Sequence, residues 1–338
     1  MQNIPVIDIS PAAASASGRK AVARAIDDAC RDIGFFSIVG HGVPETLIER
    51  TRATGAAFFA QAEAAKLAVE RPPTKISRGY FRHKDRSLSY TLGVAAPPDL
   101  QEAYAFGPEV ADDEAYQAGD VRAALRARNI WPATPAGFRE TMIEYYSTMS
   151  ALGMRMLAIM AHALGVEENY FVDKFDHESS AARLIRYPAQ SGAPEENQLR
   201  AGAHTDYGAV TYVRGDNVPG GLQVKLRHGD WIEVNRPAGG FICNISDAMA
   251  RWTNDRWVST LHRVGNPPPE ARGTDRISLV FFHMPNHDAL IRCIPGCEGA
   301  EGAKYPPITY ADHYLGKLMK AGHARHDAGV GDAVATAR

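Results

Sequence analysis

Ala203-His204-Thr205-Asp206-Tyr207-Gly208, followed 58 positions beyond its histidine by His262 in Ser259-Thr260-Leu261-His262-Arg263-Val264, is the part of this sequence that decides its fold. Two imidazoles and one carboxylate can hold a ferrous ion on one face and leave the opposite positions open for substrate and oxygen. The spacing of His204 and Asp206 favours a strand, because residues i and i+2 of a strand share a face whereas helical ligand pairs sit three or four apart. The β-branched and aromatic residues of Ala209-Val-Thr-Tyr-Val213 agree. Taken alone, a His-x-Asp pair is also what two polar residues on an edge strand look like.

The segment after His262 adds to the argument. Asn266-Pro-Pro-Pro-Glu270 leads through a polar turn at Gly273 into Arg276-Ile-Ser-Leu-Val-Phe-Phe282, a second alternating run that ends near Pro285. Arg276 and Ser278 share a face by the period of two. We expect them in a hairpin with the strand of His262, pointing where the metal points. A guanidinium fork beside a hydroxyl suits a dicarboxylate's distal carboxylate, since an unpaired charge inside a barrel is expensive. A surface arginine pairing with Asp275 is the plainer alternative.

Together these residues resemble the isopenicillin N synthase-like branch of the Fe(II)/2-oxoglutarate-dependent dioxygenases, and the likeness runs over nearly the whole chain. Ile4-Pro-Val-Ile-Asp-Ile9 looks like the opening strand, Gly34-Phe-Phe-Ser-Ile-Val-Gly-His-Gly42 like the early strand and turn, and Asp99-Leu-Gln-Glu-Ala-Tyr104 like the entry to the core. Ile185-Arg-Tyr-Pro188, Gly220-Gly-Leu-Gln-Val224, Asn244-Ile-Ser-Asp247 and Arg251-Trp-Thr-Asn254 follow in family order. The ensemble is specific where the opening Pro-Val-Ile-Asp is not. One departure is Ser246, where the family usually has glycine, so a left-handed backbone there is in question.

The resemblance implies an α+β chain with a mainly β core: a double-stranded β-helix, or jelly roll, with N-terminal and backing helices. It implies an oxidoreductase that uses Fe(II), 2-oxoglutarate and O2 to oxidise, most simply to hydroxylate, a small-molecule C–H bond with release of succinate and CO2. His204, Asp206 and His262 would be the catalytic metal ligands, and Arg276 and Ser278 would anchor the cosubstrate. Tyr187 matches a family tyrosine that hydrogen-bonds the same carboxylate, although a core tyrosine with a satisfied hydroxyl reads the same way. Candidate substrate residues are Arg78, Tyr80, Phe81, Arg186, Tyr207 and Phe282. The arginines hint at an anionic small molecule, and truncating Arg186 is then expected to raise the substrate KM more than that of 2-oxoglutarate. Two other readings stand beside this one. The first is a same-fold oxidase performing ring closure, desaturation or ethylene formation, with or without 2-oxoglutarate. The more distant is a non-redox jelly-roll module binding a structural metal, disfavoured because three ligands describe an open site better than a closed one.

Composition fits an ordinary enzyme: 338 residues, 45% hydrophobic, formal charge −2. With no long basic run, polyanion binding has no electrostatic footprint. No apolar stretch of about twenty residues or signal-peptide pattern suggests a membrane role, and the cytoplasm is the expected location. Cys30, Cys243, Cys293 and Cys297 read as reduced thiols, and Pro295 inside the last pair argues against zinc. Pro285 likewise separates His283 from His287, leaving His283 as a loop histidine or a residue at the site mouth. Helices are expected over Gly18 to Ile33 and Ala136 to Leu164, the second with Met142, Met149, Met156 and Met160 as packing residues. We expect one compact unit: a helical and β region over 1–175, the jelly-roll core with a C-terminal helix over 176–320, and a loose tail over 321–338.

Overall fold

The structure is a computed structural model. It describes residues 4–72, 77–110, 125 and 127–327, with side chains in the last helix described to residue 319. Short alternating segments separated by Gly, Pro, Asn and Asp form two facing sheets. The larger runs in the order β1 (Val6–Asp8), β2 (Phe35–Val39), β10 (Phe241–Ile245), β7 (Val210–Gly215), β12 (Arg276–His283), β5 (Ala181–Tyr187), β4 (Glu102–Phe106) and β3 (Gly79–Phe81). The smaller runs β6 (Ala201–His204), β11 (His262–Val264), β8 (Leu222–Lys225) and β9 (Trp231–Val234). A ribbon of β13 (Leu290–Ile291) and β14 (Ile308–Thr309) leads into the final helix, Tyr310–Asp327.

The inner strands of the large sheet are largely buried on both faces, for two reasons. Its outer residues, among them Leu184, Tyr212, Leu279 and Phe281, pack against the helices Ala16–Asp32, Glu45–Phe59 and Phe138–Leu164. Its inner residues meet the small sheet, with Phe35 and Ile242 against Leu222 and Val224 in one cluster, and Ile185 and Val280 against Ala201 and Val264 in another. This is the jelly roll, two sheets around an interior braced on one side by helices. The long helix ends at Gly165, whose φ of 77° is the left-handed conformation that stops a helix at low cost. Met142, Met149, Met156 and Met160 on it are fully buried packing residues, as expected from their spacing.

Two expectations are corrected. The strands carrying His262 and Arg276 are not a hairpin: β11 pairs with β6 and β8, whereas β12 pairs with β5 and β7 in the opposite sheet. The connection through Pro267-Pro268-Pro269 runs over the surface from one sheet to the other instead of turning tightly, which three consecutive residues without a backbone N–H favour. The consequence for the site survives, because facing strands also aim side chains at one another. The final helix continues to Asp327, past the start of the expected loose tail at 321, where Ala, Lys and Arg are good helix formers on an already packed start; residues 328–338 lie outside the described residues.

Candidate active site

His204 closes β6 and His262 opens β11, directly opposite it in the ladder. Asp206 lies just beyond the end of β6, so the period of two holds for its direction although the strand itself has stopped. One donor atom from each of the three lies within 4.8 Å of the others. Both histidine Nε2 atoms are 3.7 Å from Asp206 Oδ1. Behind them, His204 Nδ1 meets the Gly202 carbonyl at 2.8 Å and His262 Nδ1 the Thr260 carbonyl at 3.1 Å. A carbonyl only accepts, so Nδ1 carries the proton in each ring and the Nε2 lone pairs face the carboxylate. Burial, then the neighbouring His262, pushes the His204 pKa down to about 4, leaving a neutral imidazole at neutral pH.

The carboxylate is equally constrained. Its Oδ2 accepts from Thr211 Oγ1 at 2.6 Å and from Asn244 Nδ2 at 2.8 Å, side chains on the inner face of β7 and β10. Burial alone would raise the pKa of Asp206, but the two histidines and these donors outweigh it and hold the group below the ordinary carboxylate range. Oδ1 is left facing the imidazoles. Two neutral nitrogen donors and one fixed anionic oxygen, each supported from behind, fit a divalent iron with positions left over. Ser246, the departure from glycine, is extended (φ −107°, ψ 171°) and its hydroxyl lies 3.3 Å from Thr211 Oγ1. No left-handed turn is needed there.

Arg276, Ser278 and Tyr187 stand together at one end of the same inner face, Arg276 paired in register with Tyr187 and Ser278 with Gly215. A Cβ added at Gly215 would come within 2.4 Å of Arg276 Nη2 and 2.9 Å of Ser278 Oγ, so the missing side chain makes their room. Arg276 gives one hydrogen bond to the Asp216 carbonyl, and its Nε is buried with no partner. The adjacent buried Arg200 is different: it donates to the carbonyls of Pro219, Gly220 and Thr274. Both arginines have a partnerless buried Nε, but with one hydrogen bond against three Arg276 has the more donors to spare, which a ligand carboxylate fits. Burial raises the Tyr187 pKa to about 12 against the opposing pull of Arg276, so its hydroxyl stays a donor.

The substrate candidates divide. Phe81 and Phe282 face the interior, and Tyr207 meets Tyr314 of the final helix edge to face at 5.6 Å. Tyr80 and Arg186 face outward, as they must if Phe81 and Tyr187 face inward. Tyr80 donates to Glu102 Oε2 at 2.6 Å, while Arg186 pairs with Glu102 at 3.0 Å and with Asp275 at 2.7 Å. Arg78 is buried, its two Nη atoms donating to the carbonyls of Ser77 and Leu125 while its Nε has no partner. The expected effect of Arg186 on substrate KM is therefore replaced by another. Arg186→Ala should lower stability by roughly 1–3 kcal/mol, because buried Glu102 loses a donor, and should leave both KM values unchanged. Thermal melts and steady-state kinetics check this; a selective rise in substrate KM would return Arg186 to the site.

Sequence reasoning missed Arg183, although i, i+2 and i+4 from Tyr187 through Ile185 reach it, and it faces inward opposite Val280. It also missed Arg86, Thr211 and Asn244. His283 neither lines the mouth nor meets solvent: it is fully buried, 4.6 Å from the Phe175 ring, with Nε2 3.3 Å from Glu178. The final helix covers the metal motif from outside, Lys317 Nζ reaching Asp247 at 2.5 Å while Thr205 donates to the same carboxylate oxygen.

The chain is similar to known proteins over most of its length. Residues 4–134 match the family described as "non-haem dioxygenase in morphine synthesis N-terminal", and residues 179–285 match the "2OG-Fe(II) oxygenase superfamily". The chain is 33% identical to the 2-oxoglutarate-Fe(II) type oxidoreductase hxnY of Emericella nidulans, over 94% of this chain and 90% of the relative. It is 32% identical to a homoarginine-6-hydroxylase of Oryza sativa, over 94% and 96%. The crystal structure of a full-length Neurospora crassa protein in complex with alpha-KG and thymine superposes with a TM-score of 0.81 at 30% identity, covering 94% of this chain and 96% of that one. With a facing His-Asp-His set inside a jelly roll and full-length likeness to enzymes of one kind, the chain belongs to the 2OG-Fe(II) oxygenase superfamily, in its isopenicillin N synthase-like branch, and is a non-haem dioxygenase that uses Fe(II), 2-oxoglutarate and O2.

Proposed function

We propose that His204 Nε2, Asp206 Oδ1 and His262 Nε2 hold the iron, that Arg276, Ser278 and Tyr187 receive the far carboxylate of 2-oxoglutarate, and that the enzyme hydroxylates a small-molecule C–H bond. The carrying observation is the pair of Nδ1 contacts to backbone carbonyls, which leaves both Nε2 lone pairs free beside the Asp206 oxygen, three donors converging on one position. Iron bound there supplies the redox chemistry that splits O2 between succinate and the substrate, with loss of CO2. The chain's own work is placement. Thr211 and Asn244 keep Asp206 ionised and singly presented, Arg276 fixes the cosubstrate by its distal end, and the final helix, through Tyr314 and Lys317, shields the motif from water. A cytoplasmic location is part of the same reading, supported by four free thiols of which Cys30 and Cys243 are fully buried.

Anaerobic addition of Fe(II) and then 2-oxoglutarate tests the proposal without a substrate. A weak, saturable visible charge-transfer band is expected when the keto acid chelates ferrous iron. Iron bound with no band on adding 2-oxoglutarate would move the assignment to an oxidase that does not consume it.

A further inference from the structure

Three guanidinium groups surround one ring. The Cζ atoms of Arg71, Arg86 and Arg183 lie 4.9, 5.0 and 5.2 Å from the centroid of Phe81, and Arg183 is also 5.4 Å from Phe282. Arg71 is neutralised by Asp85 at 3.0 Å. Among the described residues neither Arg86 nor Arg183 forms an ion pair; Arg183 donates to Ser77 Oγ at 3.0 Å and its Nε is buried without a partner. Cations taken out of water without a counter-charge are costly and are kept where a ligand supplies it. Burial lowers the pKa of both, that of Arg183 to about 9; Arg71 lowers and Asp85 raises that of Arg86, Arg86 lowers that of Arg183, and Tyr314 acts on both. Phe81, which both guanidiniums flank, packs in one cluster with Ala201 and Val264 of the strands that carry His204 and His262, so the pair borders the metal strands.

We propose that Arg86 and Arg183, set against Phe81 and Phe282, form the subsite that recognises a carboxylate on the substrate, so that this enzyme acts on small organic acids with an apolar or aromatic body. The inference rests on the dioxygenase reading above and goes beyond it by naming the substrate class. The cosubstrate does not account for the pair. Arg183 lies four residues along β5 from Tyr187, the partner of Arg276, about 13 Å at the usual strand rise. The formal charges of Fe(II), Asp206, a doubly charged 2-oxoglutarate and Arg276 sum to zero, while around Phe81 the three guanidiniums of Arg71, Arg86 and Arg183 face only the carboxylates of Asp85 and Asp99, which leaves one positive charge in excess. A planar carboxylate suits guanidinium forks, and the two rings offer faces to the rest of the molecule.

Titration calorimetry on the Fe(II)- and 2-oxoglutarate-loaded enzyme without oxygen, using hexanoate, benzoate and 3-phenylpropanoate each against its primary amide, tests this. At least one acid is expected to bind ten or more times tighter than its amide, with Arg86→Met and Arg183→Met each erasing the difference and Arg183→Lys restoring part of it. Should Arg183→Met fail to fold, Arg86→Met carries the test. Equal binding of acids and amides, no binding of any acid, or an acid preference that survives both substitutions would overturn the subsite. The charge-transfer band of the unmodified enzyme reports separately on the cosubstrate: its absence with the acid preference intact would overturn the dioxygenase reading and leave the subsite standing.

Discussion

Asp206→Ala is expected to abolish turnover and to weaken Fe(II) binding by more than about 100-fold, beyond the 10–100-fold typical of losing a group behind a ligand. The carboxylate is the anionic member of the triad, and its Oδ1 is the point on which both Nε2 atoms converge at 3.7 Å. His204→Ala should match it in turnover. Neither change should unfold the protein. Asp206→Ala strands the donors of Thr211 and Asn244, a cost on the order of 1–3 kcal/mol, but also removes a fully desolvated charge. Chelator competition for iron, beside thermal melts of the metal-free proteins, separates the two effects. Thr211→Val and Asn244→Ala provide a graded control, since they leave all three metal ligands present and loosen only the aim of Asp206, so iron affinity should fall within the 10–100-fold range. Iron binding at full strength in Asp206→Ala would remove the triad from the mechanism.

The triad was legible in sequence because the chemistry demands particular residue types, and because the β-ladder that brings His204 opposite His262 leaves both flanked by strand-forming residues. Which residues share its cavity was legible only in part. The period of two, applied without exception, already excludes Arg186 once Tyr187 faces inward and Tyr80 once Phe81 does, and it selects Arg183 in their place. Arg86 lies outside any strand, in the loop before the short turn Leu88–Leu92, so no periodicity could have placed it. The crossing from β11 to β12 was illegible for another reason. A strand, a proline-rich turn and a second alternating strand describe a hairpin and a passage between two sheets equally well, and only long-range pairing with β5, β7, β6 and β8 distinguishes them.

Arg276→Leu is expected to raise the 2-oxoglutarate requirement roughly 30- to 150-fold, the equivalent of about 2–3 kcal/mol for losing a charge-assisted pair to a carboxylate. The leucine is smaller and has no donors, and it stands away from the three metal ligands, so iron binding should be unaffected. Gly215 offers a finer test of the same contact. Its backbone is not left-handed, so alanine is compatible with the strand, but the new Cβ would stand 2.4 Å from Arg276 Nη2 and 2.9 Å from Ser278 Oγ. One of these side chains must shift, and Arg276, already tied to the Asp216 carbonyl, has little freedom to do so without losing its aim. Gly215→Ala should therefore raise the KM for 2-oxoglutarate about tenfold, some 1.4 kcal/mol, with the apparent affinity for iron alone unchanged. Titration of the charge-transfer band against 2-oxoglutarate reads both variants directly. If Gly215→Ala weakened iron binding as much as cosubstrate binding, the glycine would be supporting the barrel as a whole; if Arg276→Leu left the requirement unaltered, the cosubstrate would be held elsewhere or not used.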